Sequence, residues 1–167
     1  CSQTIVGCCS IDAIHNNDKP DAIGRQVATM EKIVLTAQDL LQDSFNLGLQ
    51  VLESGFEPTM IIAIWRGGTP VGMALQEILA YCGIESDHIA IRTSSYVGVD
   101  QRGAVAVHGL NYIIKKVCHD DRVLIVDDVF DTGNTIAAVI AELTQRARGN
   151  TPEDIRVAVP WFKPSRN

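Results

Sequence analysis

The chain has 167 residues, 46% of them apolar and 20% charged, with a formal net charge of −6. That length favours one domain able to bury a core without staples. The negative balance without a Lys/Arg run argues against a nucleic-acid surface, no apolar stretch reaches membrane-spanning length, and five unevenly placed cysteines (Cys1, Cys8, Cys9, Cys82, Cys118) do not make a disulfide framework and fit a cytoplasmic protein.

Residues 1–29 carry neither helical nor strand periodicity through Pro20, and His15 to Asp21 is turn material, so they are expected to form a loosely ordered extension. The patterned domain, residues 30–167, opens at Met30-Glu31-Lys32. Thr36-Ala37-Gln38-Asp39 has the form of a capped helix start, with Asp in the usual Glu/Gln place. Leu41, Phe45, Leu49 and Leu52 then predict the apolar face of a helix that stops near Gly55. Met60 to Trp65 is an apolar run suited to a central parallel strand. It is followed by Arg66-Gly67-Gly68-Thr69 and a helix to about Tyr81, with Pro70 expected at its first position. Further strands are expected at 88–93, 104–108, 122–126 and 155–160, and helices at 110–117 and 135–148. The alternation predicts an α/β fold, an open, mostly parallel sheet flanked by helices. Cys82 and Cys118 lie in apolar contexts and are expected as small buried thiols.

The chemistry concentrates after Val123-Leu124-Ile125-Val126, an apolar run that empties into Asp127-Asp128-Val129-Phe130-Asp131-Thr132-Gly133-Asn134-Thr135. In an open α/β sheet ligands bind at this end of the strands. Thr132, Gly133, Asn134 and Thr135 can aim successive backbone N–H groups at one anion, with the positive end of the next helix behind them. By itself that loop is equally an ordinary strand-to-helix turn with Thr caps. Asp127, Asp128 and Asp131 tip the reading towards a phosphorylated sugar with its divalent cation. The adjacent carboxylates Asp127 and Asp128 repel each other, a cost that a cation or sugar hydroxyls would offset. They could accept from vicinal ribose hydroxyls or hold Mg²⁺ directly or through water. A strand ending in Asp-Asp also matches a Walker B element, but the chain has no Gly-Lys pair to make the partner phosphate loop.

Arg66, Gly67 and Gly68 form a second anion-binding candidate, and two such loops at the ends of parallel strands suit a substrate with phosphates at both ends. Ser94 to Asp100, including Ser95 and Tyr96, is a candidate lid that would exclude water from a reactive sugar, the alternative being a surface hairpin. Lys163 is open between a solvated lysine and a donor to a ring carbonyl. His15, His88, His108 and His119 show no metal spacing, and Trp161 and Phe162 are expected to pack rather than stack.

Together these motifs resemble the type I phosphoribosyltransferases, and are most similar to the hypoxanthine-guanine and xanthine-guanine members. The match is strongest at Val123 to Thr135, good at Trp65 to Thr69, and suggestive at Ser95-Tyr96 and Phe162-Lys163-Pro164. The resemblance implies an enzyme with a mobile active-site loop that transfers ribose 5-phosphate from phosphoribosyl pyrophosphate to an oxopurine, using Mg²⁺. Residues 131–135 would bind the 5-phosphate, Asp127 and Asp128 the ribose hydroxyls and metal surroundings, and Arg66, Gly67 and Gly68 the pyrophosphate. Ser95 and Tyr96 would close over the centre. Asp131 would act on N7 of the base as a general base, and Lys163 would donate to the 6-oxo group. A homodimer or homotetramer is usual in the family. In the family a segment beyond the Lys-Pro element supplies an aromatic residue stacking on the purine; the sequence stops at Asn167, so a missing base-binding end or an unusual base pocket is expected. The rival readings are a pyrimidine phosphoribosyltransferase and a regulatory domain that senses phosphoribosyl pyrophosphate without turnover.

Overall fold

A computed structural model of the chain describes residues 5–10, 34–95 and 105–163. Among these residues, seven strands form one sheet: β1 (Ile5–Ser10), β2 (Met60–Trp65), β3 (Asp87–Ser95), β4 (Val105–His108), β5 (Arg122–Val126), β6 (Val129–Phe130) and β7 (Asp154–Phe162). The spatial order is β1-β7-β5-β2-β3-β4, with the short β6 paired to β7. Every pairing is parallel except β3 with β4. Four helices cover it: α1 (Ala37–Glu53), α2 (Gly68–Tyr81), α3 (Asn111–Lys116) and α4 (Asn134–Ala147).

The central strands read as unbroken apolar runs because both faces of the sheet are buried. Side chains alternate across a strand, so Ile62, Ile64, Val123, Ile125, Val157 and Val159 join Ile113, Val117, Ile136, Val139 and Leu143 of the α3/α4 layer. Ile61, Leu124, Val126 and Ala158 face the other way and meet Leu47, Val51, Val71, Leu75 and Leu79 of α1 and α2. This sandwich fixes the carboxyl ends of β2, β5 and β7 along one edge.

The start of α1 is a full capping box: Thr36 Oγ1 accepts from the Asp39 N–H at 3.1 Å, and the Asp39 carboxylate accepts from the Thr36 N–H at 2.8 Å. Such a cap stabilises by about 1 kcal/mol. The buried face of α1 differs from the expected one. Ser44, Leu47, Gly48 and Val51 are buried, whereas Leu41 and Leu49 are exposed. Small residues explain the rotation: a Cβ on Gly48 would stand 2.2 Å from Ile78 Cγ2, so α2 approaches α1 over the glycine.

Other expectations are corrected in detail. Ile5–Ser10 pairs in parallel along β7, from Ile5 opposite Val157 to Ser10 opposite Phe162, where no strand was expected. An edge strand pairs on one side only, so its pattern is weak. The remainder of the proposed extension lies outside the described residues. Strand β3 runs on through Ser94 and Ser95, because β4 pairs with both. Pro70 is the third residue of α2 rather than the first, tolerable because first-turn N–H groups lack intrahelical partners. Cys82 and Cys118 are exposed. Cys82 caps α2, and Cys118 follows α3 in a turn where its thiol donates to Asp121 at 3.3 Å. No described helix is long and apolar enough to cross a membrane.

Candidate active site

The mouths of β2 and β5 meet because those strands pair directly, Met60 opposite Val123 through Ala63 opposite Val126. Beyond them the Arg66-Gly67-Gly68 turn lies against the chain leaving β5. A Cβ on Gly67 would fall 2.0 Å from Asp128 Oδ2, and one on Gly68 2.5 Å from the Val126 carbonyl oxygen. Only glycines allow that approach. The Trp65–Arg66 peptide is cis, and the Trp65 and Arg66 side chains are exposed. Next to them Thr69 Oγ1 is buried and has no hydrogen-bond partner among the described residues.

At β5 the acidic pair organises its own turn. Asp127 Oδ1 accepts the Asp128 N–H at 3.0 Å, and Asp128 Oδ1 accepts the Val129 N–H at 3.0 Å. The Asp127 N–H reaches back to the Ala158 carbonyl at 3.3 Å. Burial pushes the Asp127 carboxyl up to about 7, and the neighbouring Asp128 carboxylate adds to the effect. Two adjoining carboxylates, with no third His, Cys, Asp or Glu joining them among the described residues, are too few for a protein-only metal cage. They do match Mg²⁺, which keeps waters and takes the rest of its oxygens from substrate phosphates.

From Asp131 to Ile136 the chain curls around a cleft of about 60 Å³ that also touches Asp127. Gly133 turns the curl with φ of 74° and caps α4, while Thr132 Oγ1 accepts the Asn134 N–H at 3.5 Å. The α4 N-terminus, one residue earlier than expected, thus ends on the loop and lends it positive potential. Thr132 and Asn134 are exposed, Thr135 half-buried.

The sequence did not disclose β6. Val129 and Phe130 pair in parallel with Trp161 and Phe162, and the Lys163 N–H donates to the Phe130 carbonyl at 2.8 Å. That register carries Asp131 to Lys163, whose Nζ donates to Asp131 Oδ2 at 2.8 Å. Both side chains are more than half exposed, so the pair contributes at most about 1 kcal/mol to stability. Its interest is its position at the rim of the loop. Trp161 packs as expected, buried with its ring N–H on Asp43 Oδ2 at 2.7 Å, and Phe162 lies against the core. Of the lid candidates, Ser95 is the last residue of β3, and Tyr96 lies outside the described residues. Phe130 and Thr69 were missed as candidates; the only sequence signal for Phe130 is an apolar pair set between acidic residues.

Residues 31–167 match the family description "Phosphoribosyl transferase domain". Half of the chain, 89 residues, is 37% identical to a hypoxanthine/guanine phosphoribosyltransferase of Methanocella arvoryzae, and the match spans 42% of that relative's length. A purine phosphoribosyltransferase from Pyrococcus horikoshii superposes with a TM-score of 0.61 at 27% identity, over 78% of this chain and 77% of that one. The hypoxanthine-guanine phosphoribosyltransferase of L. donovani shares the fold, with a TM-score of 0.61 at 19% identity over 78% and 71% of the two chains.

Proposed function

The chain belongs to the phosphoribosyl transferase domain family, and we propose that within it the protein salvages an oxopurine, hypoxanthine with or without guanine or xanthine. The reaction would move ribose 5-phosphate from phosphoribosyl pyrophosphate to a ring nitrogen and release pyrophosphate. The observation that carries this reading is the Asp131–Lys163 contact of 2.8 Å at the rim of the phosphate loop. An acceptor and a cationic donor side by side complement a ring N–H next to a carbonyl, the edge that an oxopurine presents and adenine lacks.

In this reading the loop at residues 132–135 and the α4 N-terminus hold the 5-phosphate. Arg66, Gly67 and Gly68 receive the pyrophosphate, with the unpartnered Thr69 hydroxyl beside them. Asp127 and Asp128 accept from the ribose hydroxyls and hold Mg²⁺, which when bound supplies charge neutralisation for the pyrophosphate. As the base nitrogen bonds to the sugar carbon and the pyrophosphate oxygen leaves it, positive charge grows on the sugar, and the carboxylates stabilise it. Asp131 takes the proton from the base, and Lys163 exchanges its Asp131 partner for the oxo group. Ser95 and Tyr96 belong to the segment that would cover the centre. A cytoplasmic setting suits the exposed free thiols of Cys82 and Cys118. Assembly as a homodimer or homotetramer is part of the proposal, drawing on the exposed Trp65, Met73 and Tyr81 at and around α2.

The test is pyrophosphate release with Mg²⁺ and phosphoribosyl pyrophosphate against hypoxanthine, guanine, xanthine, adenine and uracil separately. Turnover confined to the oxopurines is expected. Turnover with uracil or adenine alone would overturn the base assignment, and binding of the sugar phosphate with silence on all five would overturn the salvage reading, the result that a sensor, or a chain without its base-binding end, would give.

A further inference from the structure

Phe130 touches both halves of the site. On one side its ring lies under the phosphate loop, where a Cβ on Gly133 would stand 2.8 Å from Cζ and 3.3 Å from Cε2. On the other its ring centroid is 5.6 Å from that of Phe162, tilted by 43°, an arrangement that aromatic pairs favour. Its carbonyl accepts the Lys163 N–H at 2.8 Å, and the side chain packs on the core below. One rigid apolar ring is therefore wedged between the loop that curls around the cleft and the residue preceding Lys163. Both rings are half-buried against the core, and contacts packed on a close-packed interior pass on a displacement rather than absorb it.

We propose that Phe130 is a positioning residue that couples the phosphate loop to the base-binding end of β7, so that the packing of Phe162 beside Lys163 sets how firmly the loop is held for its anion. The ligands in this statement rest on the phosphoribosyltransferase reading; the coupling itself rests on the Gly133–Phe130–Phe162 contacts. Phe130 carries no polar atom for the chemistry, and acts through its neighbours.

A double-mutant cycle of Phe130→Leu and Phe162→Leu tests it, since leucine keeps an apolar side chain and the fold while removing the ring contacts. Two quantities are measured: amide hydrogen exchange at Gly133 and Asn134 without ligand, and the Kd of phosphoribosyl pyrophosphate with Mg²⁺. Phe162→Leu is expected to speed exchange in the loop about tenfold and weaken binding several-fold. Both effects should vanish when residue 130 is already leucine, and exchange at the core amides of Leu124 and Ile125 should stay unchanged. Additive effects, or an unchanged loop in Phe162→Leu, would overturn the coupling. So would acceleration spread equally into β5, the mark of a merely structural role. Exchange coupling without any binding of phosphoribosyl pyrophosphate would leave the positioning role standing and sink the ligand reading instead.

Discussion

The chain leaving β5 is braced by its own side chains, whereas the turn leaving β2 is braced by what it lacks. Asp127 and Asp128 bond to the amides that follow them, Phe130 props Gly133, and β6 ties the loop to β7. Across the cleft, Gly67 and Gly68 have no side chain to anchor them, and α2 starts without a side-chain cap. They hold position because bare α-carbons fit against Asp128 and the Val126 carbonyl. One mouth is self-supporting and the other leans on it, so a side chain added to the β2 turn meets the β5 mouth at once.

Adding a methyl group to each glycine breaks this comparison most directly. In Gly67→Ala the new Cβ meets the free end of a side chain, Asp128 Oδ2, at 2.0 Å. The carboxylate can swing away, so the fold survives while the acidic pair is displaced. Turnover should fall roughly 100-fold, the effect of a misplacement of about 1 Å, with Tm nearly unchanged. In Gly68→Ala the obstacle is backbone, the Val126 carbonyl at 2.5 Å and Asp127 Cα at 2.9 Å. Backbone has to move, and a loss of about 2 kcal/mol is expected, a drop in Tm of roughly 4–8 °C. Thermal melts and steady-state kinetics on the two variants check this; matching losses of stability in both would contradict the division of labour.

A third test sets the acidic pair itself against pH. Burial in the folded state pushes the Asp127 carboxyl up from its ordinary 3.8 to about 7. The folded state therefore binds the proton more tightly than the unfolded chain, and between about pH 4 and pH 7 stability falls as pH rises. Below that window both states are protonated, and above it both are ionised, so the slope disappears. Asp127→Asn should flatten the dependence and raise Tm at pH 8, at the expense of ribose binding. Melting curves across the window would read it, and a slope unchanged by the substitution would place the burdened group elsewhere.

The parallel core was legible because its strands are buried on both faces: Met60–Trp65 and Arg122–Val126 stand out as apolar runs with the bounds that the structure has. The loops after them were legible as well, since glycines and carboxylates at a strand end are unusual enough to stand out. Packing against another element was not. The face that α1 buries depends on Ile78 resting over Gly48, a contact that no periodicity within the helix encodes. Strand β6 is two residues long, too short for any pattern. Its register nevertheless brings together Asp131 and Lys163, which are 32 residues apart in the chain. The candidate residues could be named from the sequence, Phe130 and Thr69 excepted, while the meeting of Asp131 with Lys163 depended on long-range pairing.

In the proposed reaction Asp131 works on the base and not on the phosphate it borders. The most direct measurement compares Asp131→Asn with the unaltered protein in two assays, single-turnover rate with an oxopurine and Kd of phosphoribosyl pyrophosphate with Mg²⁺. A rate lower by roughly 10²–10⁴, the contribution of a general base, is expected, with Kd changed by no more than a few-fold. Equal losses in rate and affinity would contradict it and leave Asp131 as one more phosphate-side contact.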